Sequence, residues 1–582
     1  MARQGQKENI MDPNVKVFFG LIGGLALFLY GMNGMSDGLQ KIAGDRMKKI
    51  LGMLTKNPVL GAVAGMLVTA VLQSSSATTV MVIGFVSAGL MTLPQGISVI
   101  FGANIGTTMT AQLMAFKLSD YIYPIIFIGF LLNFASKKER IQNIGLVIFN
   151  FGLLFEGIEI MGKVMKPLAT SPFFVDMMAQ VAHIPVLGML VGLCMTLVVQ
   201  SSSATIAVLQ NFASQAGPDG VSSVIGLSGA LPILLGDNIG TTITALLACI
   251  GQSRDAKRVA IAHSTFNISG SLVFLCILPF FAQFVVWVSP QGPELQVISR
   301  QIANAHTTFN LVCTFIWLPL LPLMVKIVKW VIRGGEEKEK GAFEVHYLDE
   351  KMLGQPAAAM YLISKELEHL SSLTRLVMEK LRAVIFQNDS ASKEAFLSEY
   401  TGAKALQDRI AHYISRLFSY GTLTEVQAER TASLLLVSNQ MDRVADRSGE
   451  IEKALQSAND RGLVLSDQAK KDLGQCLAIN QTIFDHAMKV IGEKDPAAVK
   501  GIETESGRFH KIQRKCYKDH LRRVRNKICS TELTKDYSSI LYALDRMSDN
   551  CTGIAEEADH ASFDNFKKPD NLEEHHPAGG KS

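Results

Sequence analysis

The sequence predicts an all-α protein in two parts, a polytopic membrane region containing two internal repeats and a soluble helical domain after it. Three observations carry this. Apolar runs of about 20 residues, the length of one bilayer crossing, recur between Val15 and Val331. Two polar motifs interrupt those runs, and each occurs twice. Beyond Gly334 the chain becomes charged, with apolar residues at helical spacing.

The apolar runs Val15–Met35, Ile141–Met161, Val259–Val288 and Ile298–Val325 are too many and too long to be the core of one soluble domain. Met1–Asn14 is polar and no small-residue cleavage pattern follows the first run, so that run reads as a retained helix. Lys326, Lys329 and Arg333, the Lys137–Arg140 turn and the Arg254–Arg258 segment are basic flanks, which stay cytoplasmic. The expected setting is therefore multi-pass in the inner (plasma) membrane, with the C-terminal domain in the cytoplasm. The eight cysteines are scattered without a CxxC pair, as in a reducing compartment. The net charge of +4 averages two unlike halves and gives no sign of a nucleic-acid partner.

The repeat follows from three matches in the same order. Gln73-Ser74-Ser75-Ser76-Ala77-Thr78 returns as Gln200-Ser201-Ser202-Ser203-Ala204-Thr205. Gly102-Ala103-Asn104-Ile105-Gly106-Thr107-Thr108 returns as Gly236-Asp237-Asn238-Ile239-Gly240-Thr241-Thr242. LFLYG at Leu27–Gly31 resembles LLFEG at Leu153–Gly157. Duplication of this kind marks secondary transporters, in which the repeats are commonly inverted, and inversion is expected here. A smaller echo pairs Ala262–Asn267 (AHSTFN) with Ala305–Asn310 (AHTTFN).

Gln, three Ser and Thr within apolar sequence are unfavourable in lipid unless paired. The arms around Gln73, Pro58–Leu72 and Val80–Leu90, are each short for a crossing, as are Pro185–Val199 and Ile206–Phe212 around Gln200. Each motif therefore reads as the polar tip of a re-entrant helical hairpin. A broken helix offers its N-terminal N–H groups to an anion, and its carbonyls and hydroxyls to a small cation. The glycines of GxNIGTT allow the backbone to bend and to approach closely; Asn104 and Asn238 both donate and accept. Neither tip contains Lys or Arg, so a bound anion leans on neutral donors and co-bound cations. Asp237, opposite Ala103 of the first repeat, is suited to a cation or to titration. The bland alternative is serine-rich packing between helices, and two duplicated pairs of motifs argue against it. His263 and His306 read first as packing residues. Glu156 reads as a functional candidate inside an apolar run, while Glu159, Lys117 and Asp120 read as interface residues.

The duplicated QSSSAT and GxNIGTT motifs resemble those of the bacterial type II sodium–phosphate cotransporter family, over roughly Val15 to Val331. The resemblance implies a carrier of inorganic phosphate with Na+ as coupling ion, re-entrant hairpins, and a site on Gln73, Ser74, Ser75, Ser76, Gln200, Ser201, Ser202 and Ser203. Asn104, Thr107, Thr108, Asn238, Thr241 and Thr242 would support it, with Thr78, Thr205 and Asp237 beside them. Asp237 stands where a small or neutral residue is expected, which leaves H+ open against Na+.

The soluble half predicts six helices, 356–387, 392–419, 423–457, 466–493, 502–529 and 533–562, as two three-helix units. Asp442-Arg443-Val444-Ala445-Asp446 returns as Asp545-Arg546-Met547-Ser548-Asp549. This resembles the PhoU family, whose repeats carry acidic metal motifs. It implies a regulatory role and a divalent metal on Asp442, Asp446, Asp545 and Asp549. A solvated acidic face paired with Arg443 and Arg546 is the plainer reading.

The expected organisation is a polar N-terminus (1–14), a membrane domain (15–333, with repeats at about 15–135 and 141–250 and further helices at 256–332), a linker (334–355), the PhoU-like domain (356–562) and a disordered tail (563–582). Homo-oligomerisation stays open. The alternatives are a carrier of another oxyanion, an H+-coupled carrier or exporter, and a membrane-anchored phosphate sensor. An enzyme is not expected: the tips carry no base to activate a serine, and no GxxxxGK[ST] loop is present.

Overall fold

The computed structural model describes residues 13–561 except 54–56, 117, 170, 172–175, 177–179, 182, 335–342, 388, 421–422 and 494–495. The polar N-terminus, the middle of the linker, Lys117 and the C-terminal tail thus lie wholly or mostly outside the described residues. The chain divides into two units at Lys338/Glu339. The described elements are helical, apart from one isolated bridge between Ala216 and Ser223.

The first unit opens with α1 (Pro13–Met53), α2 (Pro58–Leu72), α3 (Ser75–Ser87), α4 (Leu93–Met114), α5 (Ile122–Ala135) and α6 (Glu139–Ala169). It continues with α7 (Pro185–Val199), α8 (Ser202–Ala213), α9 (Gly226–Gly240), α10 (Thr242–Ala248), α11 (Arg254–Cys276), α12 (Leu278–Val288), α13 (Glu294–Trp317) and α14 (Leu321–Val331). Among the described residues four helices are long and apolar enough to cross a membrane, or six if each strongly bent pair counts as one span. Two runs expected to be continuous are broken. Val259–Val288 divides at Ile277, ahead of Pro279, and Ile298–Val325 bends by 87° between α13 and α14, ahead of Pro322. Proline cannot donate to the helix ladder and favours a fresh helix start. Phe134, Phe280, Trp287, Phe315 and Trp330 are exposed, as lipid-facing side chains would be.

Both serine motifs break a helix. Gln73 and Gln200 adopt the left-handed conformation, with φ of 49° and 53°. Ser74 and Ser201 then cap the next helix, their side chains accepting from Ala77 N and Ala204 N. The chain turns back at each break, and Thr69 Oγ1 donates to Thr78 Oγ1 across the first (2.9 Å).

The GxNIGTT glycines do not bend the first repeat, where α4 runs unbroken from Leu93 to Met114. In the second, α9 gives way to α10 at Thr241. Their shared role is close approach. A Cβ at Gly102 would lie 1.7 Å from Ala62 O, and one at Gly236 1.8 Å from Met189 O, so α2 packs on α4 and α7 on α9 backbone to backbone.

α4 also fixes the directions of α3 and α8. Gly96, near its start, lies against Val86 at the end of α3. Ala111, near its end, accepts from Gln210 near the end of α8. α1 and α6 run antiparallel, with Gly24 against Met161, Gly31 against Leu154 and Gly38 against Val147.

The second unit holds α15 (Pro356–Gln387), α16 (Ser390–Ser419), α17 (Glu425–Asp460), α18 (Asp467–Glu493), α19 (Pro496–Arg525) and α20 (Leu533–Ala561) around an apolar core that includes Leu370, Phe396, Phe484 and Phe509. Ahead of α15, Glu366 organises the segment leading in. This fully buried carboxylate accepts from the backbone N–H groups of His346, Tyr347 and Leu348 and from His369 Nδ1. Burial pushes its carboxyl up, but these hydrogen bonds outweigh burial and hold it below the usual range. The stabilisation is therefore present above the unfolded value of about 4.3 and is lost as pH falls through the lower folded value. Glu366→Gln is expected to destabilise this unit by about 2–3 kcal/mol, read as the midpoint of urea unfolding followed by far-UV dichroism. An unchanged midpoint refutes it.

Basic side chains partner the aspartate pairs on which a metal was expected. Lys404 Nζ stands 2.7 Å from Asp442 and 3.1 Å from Asp446, supplying the positive charge a metal would bring. Asp545 pairs with His510 (3.3 Å) and Asp549 with Arg546 (3.2 Å). Among the described residues no group of three or more His, Cys, Asp or Glu is gathered for a metal ion.

Candidate functional site

The two helix breaks face one cavity. It has a volume of about 360 Å³ and is lined by Gln73–Ala77, by Gln200–Ser203, and by Asn33, Ser36, Asp37 and Gln40 of α1. The eight Gln and Ser positions of the tips, far apart in sequence, are thus brought together. The N-termini of α3 and α8 meet there, so two positive dipole ends and several hydroxyls serve one space. Among the described residues no Lys or Arg lines it.

The tips are alike in backbone and unlike in side chain. Gln73 is buried, its Nε2 donating to Ala70 O and its Oε1 accepting from Thr110 Oγ1 (2.8 Å). Gln200 is exposed to the cavity. Ser36 of α1 caps the end of α2 through Leu72 O (2.6 Å). Thr244 Oγ1 and Ser76 Oγ lie 3.2 Å apart, tying the second repeat to the first.

A second, much smaller cavity of about 10 Å³ is lined by Ser75, Asn104 and Thr107 of the first repeat and by Ser202, Asn238 and Thr241 of the second. That is room for about one water-sized occupant. Asn267 and His306 complete the lining. His263 Nε2 donates to Asn104 Oδ1 (3.1 Å), and Asn310 Nδ2 lies 3.4 Å from Asn238 Oδ1. Asn104 Nδ2 is buried without a partner. Ser75, Ser202, the two asparagines and Thr107/Thr241 therefore converge, while Asn267 and His306 join from helices with no QSSS motif. The AHxTFN echo was the signal for them, since its Asn and His recur on α11 and α13.

Four of the expected threonines and Asp237 lie elsewhere. Thr78 and Thr205 turn back onto Thr69 and Thr196. Thr108 and Thr242 bond to their own helices at Ile105 O and Ile239 O. Asp237 is fully buried and lines neither cavity; its Oδ1 accepts from Thr196 Oγ1 (2.6 Å) and its Oδ2 has no partner.

Comparison with known proteins finds the duplication again. The family described as Na+/Pi-cotransporter matches residues 27–163 and again 157–297. The uncharacterized protein YqeW of Bacillus subtilis is 33% identical over 266 residues, 46% of this chain and 84% of that protein. The chain belongs to the Na+/Pi-cotransporter family. Along nearly its whole length it is also similar to the "Putative inorganic phosphate export protein YjbB" of Salmonella typhimurium, at 23% identity over 92% of this chain and 96% of the relative. Sodium-dependent phosphate transport protein 2A of Rattus norvegicus is 38% identical over a shorter stretch, 16% of this chain and 15% of its own. No solved structure matches. The chain is thus a multi-pass membrane protein of a phosphate-transporter family. Both family matches span a serine motif and its GxNIGTT partner, so the convergent cavity lies inside the matched region.

Proposed function

We propose that the protein is a cation-coupled, Na+-driven carrier of inorganic phosphate across the inner membrane. The observation that carries this reading is the meeting of both QSSS tips in one cavity without a lysine or arginine. A phosphate there is held by hydroxyls, amides and two helix N-termini, and needs co-bound cations to offset its charge. The small oxygen-lined cavity behind Ser75 and Ser202 suits a dehydrated monovalent cation. On this reading the breaks are tips of re-entrant hairpins at mid-membrane depth and the repeats are inverted. The opposite directions of α3 and α8 against α4 support inversion.

The helical unit after the linker is read as a cytoplasmic, PhoU-like regulatory domain, with Lys404 standing in for a metal between Asp442 and Asp446. Asp237 supports a second reading, coupling to H+: a fully buried carboxyl with one unpaired oxygen is stable only if it takes up a proton or a cation. The relative named for phosphate export leaves the physiological direction to the gradients.

Radiolabelled phosphate flux in proteoliposomes tests both readings. Accumulation under an imposed Na+ gradient, absent with K+, is expected. Accumulation under a pH gradient alone moves the coupling to Asp237. Binding without flux under any gradient replaces the carrier with a membrane-anchored sensor.

A further inference from the structure

A cavity of about 280 Å³ lies at the other end of α8 from the serine tips. Ser202, which starts α8, lines the QSSS cavity; Gln210, Asn211 and Ser214 near its end line this one. Eight residues of helix separate Ser202 from Gln210, about 12 Å. The two cavities also occupy successive levels of the antiparallel α1–α6 pair. The first touches α1 from Leu29 to Gln40, on the Gly38–Val147 side of the Gly31–Leu154 contact; the second touches α6 from Phe155 to Lys166, on the Gly24–Met161 side.

The electrostatics differ sharply. Lys163 and Lys166 line the second cavity, and Glu159, in contact with Lys163, is the acid among the lining residues. Arg300 stacks 4.4 Å above the ring of Phe116, which lines it too. The position is peculiar to the second repeat. The residue matching Gln210 in the first repeat is Ile83, which is buried and apolar.

Gln210 lines the second cavity from the same helix whose start lines the first. It is 3% exposed, and its Nε2 donates to Ala111 O of α4 (3.1 Å) and Ser299 O of α13 (3.0 Å). Its Oε1 faces no donor in the protein. A buried acceptor left unpaired is unfavourable. Inorganic phosphate near neutral pH keeps at least one P–OH, which can donate to that oxygen, while its charged oxygens meet the lysines. Sulfate has no such O–H.

We propose that this cavity is a second binding site for phosphate, the lysine-lined mouth of its route on the opposite membrane face, with Gln210 as the polar plug between the two sites. The proposal rests on the phosphate-carrier reading and deepens it.

Two measurements on the full chain in oriented proteoliposomes test it. Asn33→Cys in the first cavity and Ser214→Cys in the second are expected to react with a membrane-impermeant thiol reagent from opposite faces. Millimolar inorganic phosphate should slow labelling at 214, and sulfate should not. In flux, the double variant K163Q/K166Q should raise the KM for phosphate about fivefold from the second-cavity face, with the KM from the other face unchanged. Labelling of both cysteines from one face, equal protection by sulfate, or equal KM changes on both faces overturns the proposal. Loss of all wild-type flux would instead count against the carrier reading, and phosphate protection at 214 would still decide whether this site exists.

Discussion

Gln73→Ala is expected to cut phosphate flux by about 50-fold or more, as the loss of a buried, doubly held amide implies. Gln73 joins two parts of the site: its Nε2 closes the end of α2 on Ala70 O, and its Oε1 receives Thr110 from α4. Truncation leaves the Thr110 hydroxyl without its acceptor inside the protein, so folded yield in detergent should also fall. Gln200→Ala should abolish flux with little change in yield, because Gln200 is exposed to the cavity. The left-handed backbone at Gln73 allows a control. Gln73→Gly relieves the conformation at φ 49° but removes the same side chain. Flux restored by Gly and not by Ala would assign the role to the backbone. Wild-type flux in both alanine variants would sink the site assignment.

Gly236→Ala is expected to have a large structural effect for a single added methyl, comparable with that at Gly102. The new Cβ would lie 1.8 Å from Met189 O and 2.8 Å from Leu193 N. Both obstacles are backbone, so no rotamer relieves them and α7 must move away from α9. Such overpacking costs about 3 kcal/mol. The same movement pulls on Thr196, which holds Asp237 and lies opposite Thr205 beneath the second tip. The expected result is a lower melting temperature in detergent together with lost flux. Gly23→Ala is the matched control, since nothing lies within 4 Å of its added Cβ. Equal melting temperatures for the two variants would show that the α7–α9 approach is looser than described.

Much of this was legible in the sequence. The order of apolar runs gives the membrane unit, because no soluble core needs so many. The ends of α2 and α7 fall at Leu72 and Val199, immediately before the glutamines, since polar residues in an apolar run can be satisfied there only by a break. Duplication marked Ser75, Ser202, Asn104 and Asn238 as partners, and these converge around the small cavity. Helical periodicity likewise marked the second unit, and six helices are found there.

Tertiary structure decided the rest, because the deciding contacts join residues far apart in the chain. Sequence spacing could not show that the GxNIGTT glycines serve the approach of Gly102 to Ala62 and of Gly236 to Met189, with a break at the motif only in the second repeat. It could not say that Asp237, next to Asn238 in sequence, points the other way onto Thr196, since consecutive helical residues point about 100° apart and only packing tells which face is inside. It gave Asp442 and Asp446 one face of α17, but only the fold puts Lys404 of α16 between them. Asn33, Ser36 and Asp37 join the serine tips by the packing of α1, and no motif announces them. Local chemistry is written in residue order, whereas the choice of partner for each polar group depends on which helix faces which.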